Sequence, residues 1–222
     1  VILDDYQIKA ELTATPRVAY PRFPYPAGKP GHILFDIGNR QGESGAIKDA
    51  YVTYTSDGRI EGWVITLPEY VKKYQPGQTV PLYFSAQVDA TPVAYGVFNG
   101  KDVKASVRET KGVGSGVYLP FASDKPLTVT AKVGLSYTSV ENARINLEKE
   151  AAGRSFDEVK ETSHKTWEEY LSRIRVESSK KDDLVKFYTG LYHALLGRGL
   201  ANDVNGAYPK NDGTVGQLPM KD

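Results

Sequence analysis

From Tyr6 to about Leu135, short runs of Val, Ile, Tyr, Phe and Thr alternate with clusters of turn formers, a pattern that predicts many antiparallel strands. The runs are 6-YQIKAELTA-14, 17-RVAYPRF-23, 32-HILFDI-37, 50-AYVTYT-55, 59-RIEGWVITL-67, 80-VPLYFSAQV-88, 91-TPVAYGVF-98, 116-GVYLPF-121 and 127-LTVTAKVGL-135. Nine such runs with no helical periodicity between them predict a mainly β fold, an antiparallel sandwich. Ser56-Asp57-Gly58 and Asn99-Gly100 supply the residues that hairpin turns need, because they tolerate positive φ. The proline- and glycine-rich pieces 21-PRFPYPAGKPG-31 and 40-RQGESGA-46 read as loops or edge segments, since proline cannot donate to a ladder.

At Thr138 the period changes. Thr138 with Glu141, and Ser155 with Glu158, have the spacing of capping boxes, so two helices are expected to start there. Val140, Ala143, Leu147 and Ala151 form the apolar stripe of the first, which Gly153 is placed to end; Phe156, Val159, Trp167, Leu171 and Ile174 form that of the second. After the polar break 178-SSKKDD-183 comes a third helix whose apolar residues, from Leu184 to Leu196, cover most of its circumference. Such a helix needs neighbours on several sides, and they are expected beyond Asp222. At the other end, Val1 opens without Met inside a strand-like run, so the chain reads as a piece of a longer protein.

Charge and composition narrow the functions. The 222 residues carry 28 basic and 27 acidic side chains, which gives no electrostatic footprint for nucleic acid or an anionic membrane surface. No apolar run approaches the roughly 20 residues of a membrane span. The absence of Cys removes disulfides, thiolate metal sites and cysteine nucleophiles.

Several motifs favour ordinary structural readings. The glycines of 112-GVGSG-116 precede a strand and not a helix, which argues against a phosphate cradle and for a bulge or hairpin. Neither Ser115 nor Ser44 lies in a Gly-x-Ser-x-Gly elbow. His32, His164 and His193 lack the spacing of a helical zinc site, and an inter-helix hydrogen bond is the favoured role for His193. His32 and Asp36 share one strand face, the only nearby pair a sugar mutarotase could use. The loop 202-NDVNGAYPKNDG-213 fails the helix-loop-helix calcium pattern, with Tyr208 at the sixth position and Thr214 at the twelfth. Two readings stay open for it: an Asx-turn connection, or a polyol site in which Asp and Asn face hydroxyls and Tyr faces a sugar's C–H side. Trp63 and the strand tyrosines are candidate sugar platforms, although packing on a sheet is the commoner use of such residues.

The segments 4-DDYQIKAELTATPRVAYPRF-23, 81-PLYFSAQVDATPVAYGVF-98, 132-KVGLSYTSVENARINLEKE-150 and 187-FYTGLYHALLGRGLANDVNGAY-208, in this order, resemble the glycoside hydrolase family ninety-two α-mannosidases. The resemblance implies a mutarotase-like β-sandwich over 1–135, a helical linker over 136–178 and, over 179–222, the truncated start of an (α/α)6 barrel. The active site would lie between sandwich and barrel. Asp203 would hydrogen-bond mannose hydroxyls in the cleavage subsite, and Asn205 would shape the loop.

The family consists of calcium-dependent exo-α-mannosidases that invert the anomeric centre. Their acid, base and calcium ligands have no matching positions here, so the resemblance implies no catalytic and no metal-ligating residue within this chain. The expected partners are a mannose-containing glycan and the rest of the barrel, with Ca2+ held by the parent enzyme. Export to the periplasm or surface of a bacterium is implied in the same way. By itself the chain is expected to be inactive scaffold with part of the sugar-binding rim. The competing expectation is a non-catalytic carbohydrate-binding or interdomain module.

Overall fold

The computed structural model describes residues 1–5, 8–40, 45–196 and 199–219; the expected strand start at Tyr6 and most of the expected loop 40–46 lie outside the described residues. In chain order the elements are β1 (Ile2–Leu3), β2 (Ile8–Lys9), β3 (Glu11–Ala14), β4 (Val18–Tyr25), β5 (Gly31–Asp36), β6 (Ala46–Tyr54), β7 (Ile60–Leu67), α1 (Glu69–Tyr74), β8 (Val80–Val88), β9 (Gly96–Asn99), β10 (Asp102–Ala105), β11 (Glu109–Lys111), β12 (Ser115–Phe121), β13 (Leu127–Ser136), α2 (Val140–Ala151), α3 (Phe156–Leu171), α4 (Lys181–Leu196), β14 (Ala207–Pro209) and β15 (Val215–Gln217).

Two antiparallel sheets form the expected sandwich. One has the order β11-β6-β7-β8-β13-β4-β3 and the other β10-β9-β12-β5. Their inner faces meet in a core that includes Val52, Ile60, Phe84, Val117, Leu119, Phe121 and Val129, all alternate residues of their strands. The outer face of the larger sheet carries a second apolar layer: Val18 and Tyr20 of β4 pack against Leu147 and Ala151 of α2 and Phe156 and Val159 of α3. Gly134 lets α2 approach closely, since a Cβ there would sit 2.4 Å from the Ala143 carbonyl oxygen.

Tyr20 is fully buried in this layer, and its hydroxyl has no hydrogen-bond partner among the described residues. An unsatisfied buried hydroxyl costs free energy that phenylalanine avoids. Tyr20→Phe is therefore expected to raise the unfolding free energy by about 1 kcal/mol, read as a higher urea midpoint at unchanged slope; a lower midpoint would contradict this.

Helix starts follow their caps. Ser155 and Glu158 form the expected capping box of α3. For α2 the expected Thr138–Glu141 box is replaced by Ser139, whose side chain accepts from the Asn142 N–H. Thr138 is engaged elsewhere, as described below. Gly153 has the expected left-handed φ of 67° just after α2. Helix α4 contains no buried residue, and Val185 and Leu196 are 54% and 51% exposed.

Three expectations about the strands and their connections are corrected. Residues 21–25 belong to β4 and are not a loop: Pro21 lies opposite Leu12 and Pro24 opposite Thr128. The β13 ladder runs from Tyr25 to Arg22 and resumes at Ala19, so it makes no demand on the missing N–H of Pro21. The 112-GVGSG-116 segment is neither a hairpin nor a bulge, but the crossing from β11 in one sheet to β12 in the other. The expected strand 91–98 begins only at Gly96.

Candidate functional site

The loop from Asn202 to Gly206 sits where β13, α2 and the β14–β15 hairpin meet, and its polar side chains point into that junction. Asp203 is 2% exposed. Its Oδ2 accepts from Ser136 Oγ at 3.0 Å and Thr138 Oγ1 at 2.5 Å, while Oδ1 accepts from Asn146 Nδ2 at 2.7 Å. Its own N–H donates to the Ala207 carbonyl, and its carbonyl accepts from Gly206 N–H, closing a tight turn with Gly206 at φ 85°.

Asn146 explains why the loop stays in place. It is fully buried on the apolar stripe of α2, where its Nδ2 also donates to the Leu135 carbonyl and its Oδ1 accepts from Val204 N–H. Asn205 donates from Nδ2 to Asn142 Oδ1 at 2.8 Å, and its own Oδ1 accepts from Ala207 N–H. Asn142 in turn donates to Thr138 Oγ1. Each buried amide and carboxylate of this network has a partner, which makes it a rigid, preorganised patch.

On the other side of the loop, Arg17 donates from Nε to the Asn202 carbonyl at 2.6 Å and from Nη1 to Glu150 Oε1 at 2.8 Å. Glu150 also accepts from Thr15 Oγ1 and from the Arg17 N–H. The β3–β4 turn, the end of α2 and the candidate loop are thereby joined through one largely buried ion pair.

A further pair fixes α2 to the sheet. Arg144 reaches both oxygens of Glu61 on β7, at 3.0 and 2.8 Å, and Ser85 Oγ donates to the same carboxylate. Burial pushes the Glu61 carboxyl up, but the hydrogen bonds from Arg144 and Ser85 with the Arg144 charge outweigh it, and the net shift is downward. A depressed folded-state pKa gives stability that is present above the unfolded carboxylate range and lost as pH falls through the folded value. Glu61→Gln is expected to cost about 1–2 kcal/mol at neutral pH, with the difference from wild type shrinking on acidification; a pH-independent difference in chemical denaturation would contradict this.

The structure thus brings Asp203 and Asn205 together in one network, with the Asp203 oxygens turned inward to Ser136, Thr138 and Asn146. A carboxylate has about four acceptor positions, and these contacts leave one, on Oδ1. Ser136, Asn142, Asn146, Arg17 and Glu150 were not singled out in the sequence, and Thr138 was expected only as a helix cap. The interruption of the α2 stripe by Asn146, between Ala143 and Leu147, was the available signal.

The other candidates stay apart. His32 and Asp36 lie on β5 with Leu34 between them, roughly 13 Å apart at strand rise, and Asp36 pairs with Asn39 instead. His193 is exposed on α4 with its ring 5.7 Å from that of Tyr192, and among the described residues it makes no inter-helix hydrogen bond of the kind expected. Among the described residues no group of three or more His, Cys, Asp or Glu is arranged to hold a metal ion, and no helix is long and apolar enough to cross a membrane.

Comparison with known proteins gives this geometry a context. The glycosyl hydrolase family 92 N-terminal domain matches residues 1–136, and the glycosyl hydrolase family 92 catalytic domain matches residues 142–221. A protein of Arthroderma benhamiae described as an uncharacterized secreted glycosidase is 25% identical over 213 residues, which is 85% of this chain and 26% of the relative. Among solved structures, a family GH92 α-mannosidase of Bacteroides thetaiotaomicron superposes with a TM-score of 0.85 at 24% identity, covering 98% of this chain and 29% of that one. That protein has also been solved with mannoimidazole bound. An inverting family GH92 mannosidase of the same organism gives a TM-score of 0.80 at 21% identity, over 95% of this chain and 28% of that one. The chain thus spans between a quarter and a third of the length of the relatives it matches.

Proposed function

Because the chain belongs to glycosyl hydrolase family 92, we propose that it is the sandwich and barrel-entry portion of a secreted, calcium-dependent inverting exo-α-mannosidase that removes terminal α-linked mannose from glycans. The observation that carries this reading is the meeting of the family's two domains, matched at 1–136 and 142–221, at the Asp203 network. A relative described as secreted and others described as α-mannosidases support the rest.

In this reading residues 136–178 link the domains, and the segment from 179 onward begins the barrel. Asp203 and Asn205 serve the cleavage subsite in this reading from a loop that their own hydrogen bonds hold ready before the sugar arrives. Inversion requires a carboxylic acid and a carboxylate roughly 6.5–9.5 Å apart, with a water between carboxylate and sugar. Neither is assigned to a residue of this chain. The calcium ion, too, is assigned to the rest of the enzyme.

The test compares this chain with the full-length gene product for release of free mannose from α-linked mannobioses, with calcium and then with chelator. Chelator-sensitive release by the full-length protein alone is expected. Release by neither would favour a non-catalytic carbohydrate-binding module; release by this chain would mean that it carries catalytic carboxylates.

A further inference from the structure

The register of the larger sheet aligns Tyr51, Trp63, Tyr83 and Ser136 as direct neighbours on β6, β7, β8 and β13. Direct neighbours share a face, so three aromatic side chains stand in one row that ends at the serine donating to Asp203. This is the outward face, because the alternate residues Val52 and Phe84 point into the sandwich core. None of the three aromatic residues is fully buried. The rings of Tyr51 and Trp63 are 6.3 Å apart and inclined by only 29°.

We propose that this row is a carbohydrate-binding ledge that holds the sugar units on the leaving-group side of the glycan; its catalytic consequence rests on the mannosidase reading above. Three adjacent strands spread the rings over roughly 10 Å, about the length of a disaccharide. Aromatic faces suit the C–H faces of pyranoses, while hydroxyls need polar partners at the edge. Those partners are present. Tyr51 donates its hydroxyl to Glu109 at 2.6 Å, Lys111 Nζ lies 5.7 Å from the Trp63 ring centre, and the Glu61–Arg144 pair borders the row on the α2 side.

This ionised border favours a sugar over coverage by the rest of the polypeptide. The core of a protein interface is depleted of charged side chains, whereas Lys111 and the Glu61–Arg144 pair stand beside this row. A different surface suits the missing barrel better: the groove of about 530 Å³ lined by Val159, Trp167 and Tyr170 of α3, Pro16 of the β3–β4 turn and Leu195 of α4.

The test uses Trp63→Ala and Trp63→Phe in the full-length protein, with α-linked mannotriose and α-mannosyl fluoride as substrates. The fluoride has no leaving-group sugar. For Trp63→Ala, kcat/KM on mannotriose is expected to fall about tenfold, through KM, with fluoride hydrolysis unchanged, and Trp63→Phe should recover most of the loss. Equal losses on both substrates, or no loss on either, would overturn the ledge. If the wild-type protein hydrolyses neither substrate, the mannosidase reading fails separately, and calorimetric titration with mannotriose decides: binding weakened by Trp63→Ala sustains the ledge, and unaffected or absent binding overturns it.

Discussion

Asp203→Ala lowers the unfolding free energy by about 3 kcal/mol. The carboxylate is 2% exposed and accepts from Ser136, Thr138 and Asn146, so alanine leaves buried donors facing a void. Asn146 keeps its bond to the Leu135 carbonyl, which limits the loss. Asp203→Asn is expected to cost less, about 1–2 kcal/mol: its oxygen still accepts from the two hydroxyls, while its amide confronts the Asn146 amide donor to donor. Urea denaturation should show both midpoints lowered in this order. A midpoint for the alanine variant equal to wild type would mean that the loop is held by something other than this network.

Phe121→Ala is expected to cost about 3–5 kcal/mol. Phe121 is 1% exposed on β12, in the core closed by Val117, Val129 and Leu119. The backbone around the lost ring is held by the β12–β5 ladder, in which Phe121 lies opposite Gly31, and by the Val93 N–H bond to the Pro120 carbonyl, so it collapses little. Thermal unfolding followed by circular dichroism gives the measurement. A loss of less than about 1 kcal/mol would mean that the space had closed and that the two sheets are not tightly packed there.

What the sequence made legible follows from where side chains are buried. Strands flanked on both sides, such as β7 and β8, alternate clearly because one face meets the sandwich core. The missed strands β10 and β11 are edges with mostly exposed residues, and an edge strand is specified by its neighbour's open backbone more than by its own pattern. The short α1 was missed because it buries only Val71. At the candidate loop, the residue types of 202-NDVNGAY-208 suggested polar chemistry, but not its direction. That depends on Asn146 and Ser136, brought next to Asp203 by the packing of α2 on β13, from 57 and 67 positions away in sequence. Long-range pairing of this kind has no local signature. The apolar circumference of α4 was legible for the opposite reason: its Val185 and Leu196 are exposed among the described residues, and a chain pattern records the burial a helix is built for.

The most direct test of the account is proton NMR of the mannose released by the full-length protein, with the anomeric signals followed before mutarotation equilibrates them. An inverting exo-α-mannosidase gives β-mannose first, with the α-anomer appearing later. That order is the predicted result; α-mannose appearing first, or no mannose from any α-linked mannobiose, would contradict it.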